Sequence, residues 1–238
     1  MKKMHTICRL IVIFIILFVS SCCLSPISAQ IRQDAGMWAT LTLQHALNKK
    51  INLVIDEEFR LKENYQRINL FYTNIGIDYK VNKFLKISPT YRTIQKKKLD
   101  GNYSYRHRLM LDVSVKKKIK KITLSERVRY QIEVQDFYTS KKGKFPEQYL
   151  RLKTDIKYDL KKKITPYYSV EFRYQIRNPR GDGPAYDNGF HRVRNVLGVE
   201  YEINKKNSIN LYYLFQTEFN ISTPESIYIL GIAYTLTI

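Results

Sequence analysis

The stretch Lys121–Gln135, KITLSERVRYQIEVQ, decides the fold of this chain. Apolar residues occupy every second position from 122 to 134, except for Glu126, and polar or charged residues fill the positions between them. Because successive side chains of a β-strand point to opposite faces, this pattern predicts a strand with one apolar and one charged face. At about 3.3 Å per residue the stretch extends roughly 50 Å. Strands of soluble proteins usually have only about five or six residues.

The same alternation continues to the end of the chain and predicts eleven strands. Short turns rich in Asn and Lys alternate with mostly longer polar loops between them. The predicted strands are Gly36–Leu47, Ile51–Lys62, Arg67–Val81, Leu85–Gln95, Ser104–Lys116, Lys121–Gln135, Gln148–Asp159, Ile164–Ile176, His191–Ile203, Ser208–Thr217 and Ser226–Ile238. We therefore predict an all-β fold, a single antiparallel up-and-down transmembrane β-barrel of about 10–12 strands.

The direction of the apolar faces separates a membrane barrel from a soluble one. A soluble barrel of the lipocalin type turns its apolar face inward, and it is the alternative fold. The predicted strands mostly have 11 to 15 residues, which matches tilted strands that cross a bilayer. We therefore expect the apolar faces to meet lipid and the charged faces to line a lumen. A count of eleven conflicts with the even strand numbers that are usual in bacterial barrels.

The N-terminal segment 1–29 has the features of a signal peptide. Its positive region consists of Lys2, Lys3 and Arg9. Leu10–Val19 forms an apolar core that is too short to span a membrane well. Small residues before Gln30 predict cleavage after Ala29, which leaves residues 30–238 as one outer-membrane barrel domain. Lipoprotein processing at the segment Val19-Ser20-Ser21-Cys22 is the alternative.

The cysteines limit the chemistry of the mature chain. All three of them, Cys8, Cys22 and Cys23, lie in the leader. The mature chain is therefore expected to form no disulfide and no cysteine-ligated metal site. The sequence also has no glycine-rich phosphate loop and no His-x-His or Glu-x-x-His pair with metal-binding spacing. We predict no cofactor and no metal.

The chain is strongly basic, with a formal net charge of +20 at pH 7. Loss of the leader would remove three positive charges and leave +17. Nucleic acid is the usual partner of such a charge, but an exported chain with its lysines in turns is not expected to bind it. We expect these lysines to meet the anionic headgroups of a lipid bilayer instead.

The last strand carries a second signal, in Gly231–Leu236. A glycine is followed by an aromatic residue three positions later and by a hydrophobic residue two positions after that. This spacing resembles the C-terminal signal that barrel-assembly machinery recognises on outer-membrane proteins. The terminal Ile238 differs from the usual Phe. We predict this machinery as a partner.

Four segments together resemble a family of exported β-barrel proteins known as domain of unknown function 2490. These segments are Gly36-Met37-Trp38, Asn48-Lys49-Lys50, Glu58-Phe59-Arg60 and Glu126–Tyr130. The resemblance extends over most of the chain after Gln30. It implies an outer-membrane-like barrel and supplies no catalytic residues.

The predicted inward faces collect many charged residues. These lumen candidates are Asp56, Glu58, Arg60, Asp78, Arg92, Arg106, Arg108, Asp112, Arg127, Arg129, Glu133, Arg151, Lys153, Asp155, Glu171, Arg173, Arg192, Arg194, Glu200 and Glu202. One interpretation is a network of ion pairs that fills and rigidifies a structural barrel. The other is a narrow porin-like channel in which the excess of arginine favours anions.

An outer-membrane lipid-modifying enzyme is a further alternative. His107 lies on the predicted outward face with Ser104 nearby, and His45 and His191 are the other histidines after the leader. No serine lies at a recognisable spacing from a histidine and an orienting acid. We therefore expect no enzymatic activity.

Two carboxylates interrupt the predicted lipid-facing surface. Glu57 and Glu126 occupy apolar-face positions of their strands, and a carboxylate is unfavourable at the middle of a bilayer. We expect that these residues lie near an interface, that a bulge shifts the register, or that a partner subunit covers them.

Overall fold

The computed structural model describes residues 32–160, 163–179, 188–221 and 223–238. Eleven strands form one closed barrel. They are β1 (Arg32–Ala46), β2 (Ile51–Lys62), β3 (Arg67–Lys80), β4 (Leu85–Lys97), β5 (Tyr103–Ile119), β6 (Ile122–Gln135), β7 (Glu147–Tyr158), β8 (Ile164–Arg177), β9 (Gly189–Glu202), β10 (Asn207–Glu218) and β11 (Glu225–Thr237). The predicted all-β barrel is confirmed. The predicted leader at 1–29 lies outside the described residues.

Each strand pairs with its neighbours in sequence, and the barrel closes between β1 and β11. Consecutive strands are antiparallel, whereas β1 and β11 are parallel, in register from Arg32 opposite Glu225 to Gln44 opposite Thr237. The parallel seam follows from the odd strand number, because strands that alternate in direction leave the first and eleventh running the same way. This seam corrects the expectation of a wholly antiparallel barrel.

The connections lie at two rims. Of the described residues, 47–50, 81–84, 120–121, 159–160, 163 and 203–206 form the turn rim, and those of the other connections form the loop rim. Three hairpins of the turn rim use the same device, an asparagine whose side-chain oxygen accepts backbone N–H groups two and three residues later. These asparagines are Asn48, Asn82 and Asn204, with bonds of 2.8–2.9 Å. This local bond closes the turn and explains why asparagine recurs there.

The apolar faces of the strands point outward. On β5, for example, Leu109 is 58% exposed, whereas Asp112 on the opposite face is only 7% exposed. Exposed aromatic residues lie close to both rims, including Tyr79, Tyr158 and Tyr201 at the turn rim. A soluble barrel has the opposite arrangement, so the fold is that of a membrane-spanning β-barrel. Within the described ranges, no helix has the length and apolarity to cross a bilayer.

Neither outward carboxylate lies at a bulge. The described ladders shift register only at Arg60/Leu61, Gln148/Tyr149 and Arg173/Tyr174. Glu57 and Glu126 keep their outward positions and accept hydrogen bonds of 2.8 Å from Thr73 and Thr154 on adjacent strands. The bulge explanation for these two residues was therefore wrong. Each carboxylate is instead satisfied by a neighbouring hydroxyl.

Candidate functional site: an arginine-lined lumen

The inward faces of the strands enclose a polar cavity of about 990 Å³. Thirteen of the described residues that line it are lysine or arginine, and eight are aspartate or glutamate. The cavity wall therefore carries a formal excess of five positive charges. Since the surrounding wall is protein and the outer surface is apolar, these charges are weakly screened compared with charges in bulk water.

Most of the charged residues that were predicted to face the lumen line this cavity. Fifteen do so: Asp56, Glu58, Arg60, Arg92, Arg106, Arg108, Arg127, Arg129, Glu133, Arg151, Lys153, Glu171, Arg173, Arg192 and Arg194. The other five do not line it. Asp112 is buried against Arg129, and Glu202 is exposed at the end of β9. Asp78, Asp155 and Glu200 form ion pairs with Lys86, Lys153 and Lys157, towards the turn rim.

Four arginines form a continuous row across four adjacent strands. The pairing of β6 to β9 places Arg129 opposite Arg151, Arg151 opposite Arg173, and Arg173 opposite Arg192. Neighbouring strands are about 4.8 Å apart, so this arginine row extends over roughly 15 Å of the lumen wall. Asp112 on β5 and Glu218 on β10 lie next to its two ends. The row thus has a carboxylate at each end and none within it.

Carboxylates are outnumbered throughout the lumen, and several of them are shared. Glu171 binds Arg151, lies 2.6 Å from Arg127 and lies 3.5 Å from Arg194. Glu133 accepts hydrogen bonds from Arg106 at 3.0 Å and from Arg108 at 2.8 Å. Among the described residues, eight of the ten arginines of the cavity wall share five carboxylates: Glu58, Asp112, Glu133, Glu171 and Glu218.

Two arginines of the wall have no ion pair with any described carboxylate. The guanidinium of Arg173 lies 3.7 Å from the ring centre of Tyr149, and its Nε is buried without a described acceptor. The guanidinium of Arg92 lies 3.6 Å from the ring centre of Tyr72 and donates to Asn74 at 2.6 Å. Aromatic rings take the place of carboxylates here, and each such contact stabilises the cation by about 1–2 kcal/mol when it is shielded from water.

Sequence reasoning emphasised the charges of the lumen and underestimated its aromatic residues. Trp38, Tyr72, Tyr149, Tyr167 and Tyr212 all line the cavity. Two of these tyrosines lie across glycines of the neighbouring strand. A Cβ on Gly198 would approach the ring of Tyr167 to 2.6 Å, and one on Gly231 would overlap the ring of Tyr212. A glycine directly opposite a tyrosine on the neighbouring strand indicates such a lumen tyrosine. This pairing can be recognised only once the register of the strands is known.

A bulge buries a histidine beside a tyrosine of the lumen wall. Arg173 pairs with Arg192, and the next residue of β8, Tyr174, pairs with Phe190, which leaves His191 as the extra residue. His191 is 5% exposed, and its ring centre lies 6.1 Å from that of Tyr149. Strict alternation would place His191 on the face opposite Arg192. The sequence pattern missed this buried residue because the bulge breaks the period of two.

The structure does not bring together the residues considered for catalysis. Ser104 is buried and donates to Asp136 at 3.1 Å, whereas the ring of His107 stacks with Tyr91 on the outer face, its Nδ1 2.7 Å from the tyrosine hydroxyl. The histidine at position 45 lies at the turn rim, 3.3 Å from the carbonyl oxygen of Ile238. In the described part of the chain, no group of three or more His, Cys, Asp or Glu residues is arranged to hold a metal.

Solved structures share this fold at low sequence identity. The NanC porin in a rhombohedral crystal form is 12% identical, with a TM-score of 0.50 over 86% of this chain and 98% of that chain. LpxR from Salmonella typhimurium is also 12% identical, with a TM-score of 0.51 over 82% of this chain and 86% of that chain. Both likenesses concern the barrel fold.

Similarity in sequence identifies the family of this chain. No curated protein matches it. The profile described as Protein of unknown function (DUF2490) matches residues 35–226, which confirms the resemblance seen in the sequence. This chain therefore belongs to the DUF2490 family.

Proposed function

We propose that this protein is an outer-membrane barrel whose lumen admits small anions and lets them pass. The observation that carries the proposal is the charge balance of the cavity wall, where thirteen described lysines and arginines face eight aspartates and glutamates. Charged side chains that line a pore determine which ions enter it, and arginine favours anions. A barrel of this size leaves a narrow passage because its interior is partly filled by side chains.

The location and the assembly partner belong to the same proposal. The export leader predicted at 1–29, an apolar outer surface and a fold shared with a porin support an outer-membrane location. The spacing of Gly231, Tyr234 and Leu236 on β11 supports recognition by barrel-assembly machinery. We propose no enzymatic role, and the separation of Ser104 from His107 on opposite faces supports that choice.

A structural barrel is the second candidate function. The shared carboxylates Glu133 and Glu171 tie together strands β5 to β9 through their arginines. Such a network specifies geometry, whatever its net contribution to stability. In this case the lumen would be filled and conduct no ions.

Planar-bilayer recording separates these two functions. The purified protein in a potassium chloride gradient is expected to conduct small currents whose reversal potential lies towards that of chloride. Replacing Arg92 and Arg173 by glutamine should reduce this anion preference. The control replaces Lys205 and Lys206, two exposed lysines of the turn rim, and should leave it nearly unchanged. Silence of the bilayer, or a preference for potassium, would contradict the proposal.

Incubation with phospholipid tests the absence of catalysis. No fatty acid should be released. Release that the substitution His107→Ala abolishes would contradict this part of the proposal.

A further inference from the structure

Within the arginine row, Arg173 differs from its neighbours because no described carboxylate neutralises its charge. Its neighbours Arg151 and Arg192 bind Glu171 and Glu218, but Arg173 has no ion pair with a described carboxylate. It is held between two like charges on the adjacent strands. Like charges repel one another more strongly in a poorly solvated wall than in water. An anion placed against Arg173 would relieve this repulsion.

Arg173 lines the cavity and has hydrogen-bonding capacity that the described protein atoms do not use in full. The guanidinium lies 3.7 Å from the ring centre of Tyr149, so one face is covered. Stacking on a ring uses the face of the cation and none of its N–H groups. No described protein atom accepts a hydrogen bond from its Nε. A planar fork of donors in a fixed orientation matches two oxygens of a carboxylate or phosphate.

We infer that Arg173 is the centre of a binding site for an oxyanion group, a carboxylate or a phosphate, on a ligand that enters the lumen. The inference rests on the proposed function, because it deepens the anion preference of the same cavity. Arg151 and Arg192 lie about 5 Å to either side. A ligand with two or more negative charges therefore gains more from this row than a halide does. Tyr149 lines the cavity next to Arg173, and the ring of the bulged His191 lies 6.1 Å from that of Tyr149.

Equilibrium binding tests the site without reference to conduction. Pyrophosphate, inorganic phosphate and citrate are titrated separately against the purified protein in zwitterionic detergent, with isothermal calorimetry as the readout. We expect pyrophosphate and citrate to bind more tightly than phosphate, and chloride to compete weakly. Comparison of the two polyvalent anions shows whether the site prefers phosphate or carboxylate oxygens.

Three variants locate the binding. Arg173→Gln removes the charge, and Arg173→Lys keeps the charge but removes the fork. Both should weaken binding at least about tenfold, as expected for the loss of charge-assisted hydrogen bonds. Lys153→Gln removes one charge from the same cavity at a side chain already paired with Asp155, and should change binding by less than about twofold.

Equal weakening in all three variants would show diffuse attraction by the lumen charge, and would overturn the inference. Unchanged binding in Arg173→Lys, or no binding by the unaltered protein, would also overturn it. Circular dichroism establishes that each variant retains the barrel, and the lysine variant covers the case in which glutamine does not fold. A protein that binds pyrophosphate at Arg173 but passes no current would contradict the proposed passage and leave the site intact.

Discussion

Asp112 on β5 and Arg129 on β6 lie directly opposite each other and share two parallel hydrogen bonds, from Nε to Oδ1 at 2.6 Å and from Nη2 to Oδ2 at 2.7 Å. The pair is buried at the end of the arginine row. Removing one member of a buried pair leaves the other charge without a partner, and this costs about 3–5 kcal/mol. Asp112→Ala should therefore destabilise the folded barrel by that amount in urea unfolding experiments.

Asp159→Ala is the matched control, because Asp159 forms an ion pair with Lys118 at the exposed turn rim. Exposed pairs contribute about 0–1 kcal/mol. Equal losses of stability in the two variants would contradict the difference in burial on which this prediction depends.

Because the apolar faces point outward, an arginine substituted on the outer surface should destabilise the barrel more at the middle of a strand than near a rim. Val128 lies midway along β6 on the outer surface, and Ile119 lies at the end of β5 by the turn rim. Val128→Arg should lower the free energy of unfolding in a bilayer by about 2–4 kcal/mol, and Ile119→Arg by only about 0–1 kcal/mol. Reversible folding into lipid vesicles measures both values. Similar costs at the two positions would argue against a bilayer around this surface.

Gly231 is part of the C-terminal signal, and its contact with the Tyr212 ring gives a structural reason for a glycine at this position. The ring of Tyr212 covers this glycine from the adjacent strand, so Gly231→Ala should cost about 1–3 kcal/mol through overpacking. Tyr212→Ser removes the ring and should suppress most of that cost in a double-mutant cycle. Folding without any assembly machinery is the measurement. If the double variant is as unstable as the two single effects added together, the ring contact is not the cause.

Exposed lysines are concentrated at the turn rim. They are Lys49, Lys50, Lys80, Lys83, Lys116, Lys117, Lys118, Lys120, Lys121, Lys163, Lys205 and Lys206. Lys117→Gln together with Lys120→Gln should weaken the association of spin-labelled phosphatidylglycerol with the barrel by up to about 1 kcal/mol per lysine. The control substitutes Lys141 and Lys144 at the loop rim, and we expect a smaller effect. An equal effect at both rims would argue against a preference of the turn rim for anionic lipid.

Asp136 gives the loop rim a dependence on pH. Burial would raise the pKa of its carboxyl group, but hydrogen bonds from the Tyr105 N–H at 2.9 Å and from the Ser104 hydroxyl at 3.1 Å outweigh burial and hold the pKa below its ordinary value. Stability from a lowered pKa is present above the pKa of the unfolded chain and is lost as the pH falls through the folded pKa.

Hydrogen exchange of the β6–β7 loop should therefore accelerate in acid. Asp136→Asn removes the charge but keeps a residue that tolerates the left-handed backbone of this position, where φ is 49°. The variant should exchange faster than the unaltered protein at neutral pH and converge with it in acid. A constant difference at every pH would exclude titration of Asp136 as the cause.

Many residues of the lumen could be predicted because the local strand conformation determines the face of the sheet to which a side chain points. In an unbroken strand each residue points away from the face of its neighbour, so fifteen of the charged candidates fall on the cavity wall. The Asn-based turns were equally readable, since the bonds of Asn48, Asn82 and Asn204 reach only two or three residues along the chain.

The sequence by itself therefore determined the strands, their two faces and the excess of positive charge. The tertiary structure decided the parallel seam, the arginine row and the inward turn of His191. Alternation along one strand holds no information about which residue lies opposite on another strand. One extra residue in a bulge also moves every later side chain relative to its partners. Register between distant segments of the chain was needed to show that Arg173 lies among arginines and has a tyrosine ring in place of a carboxylate.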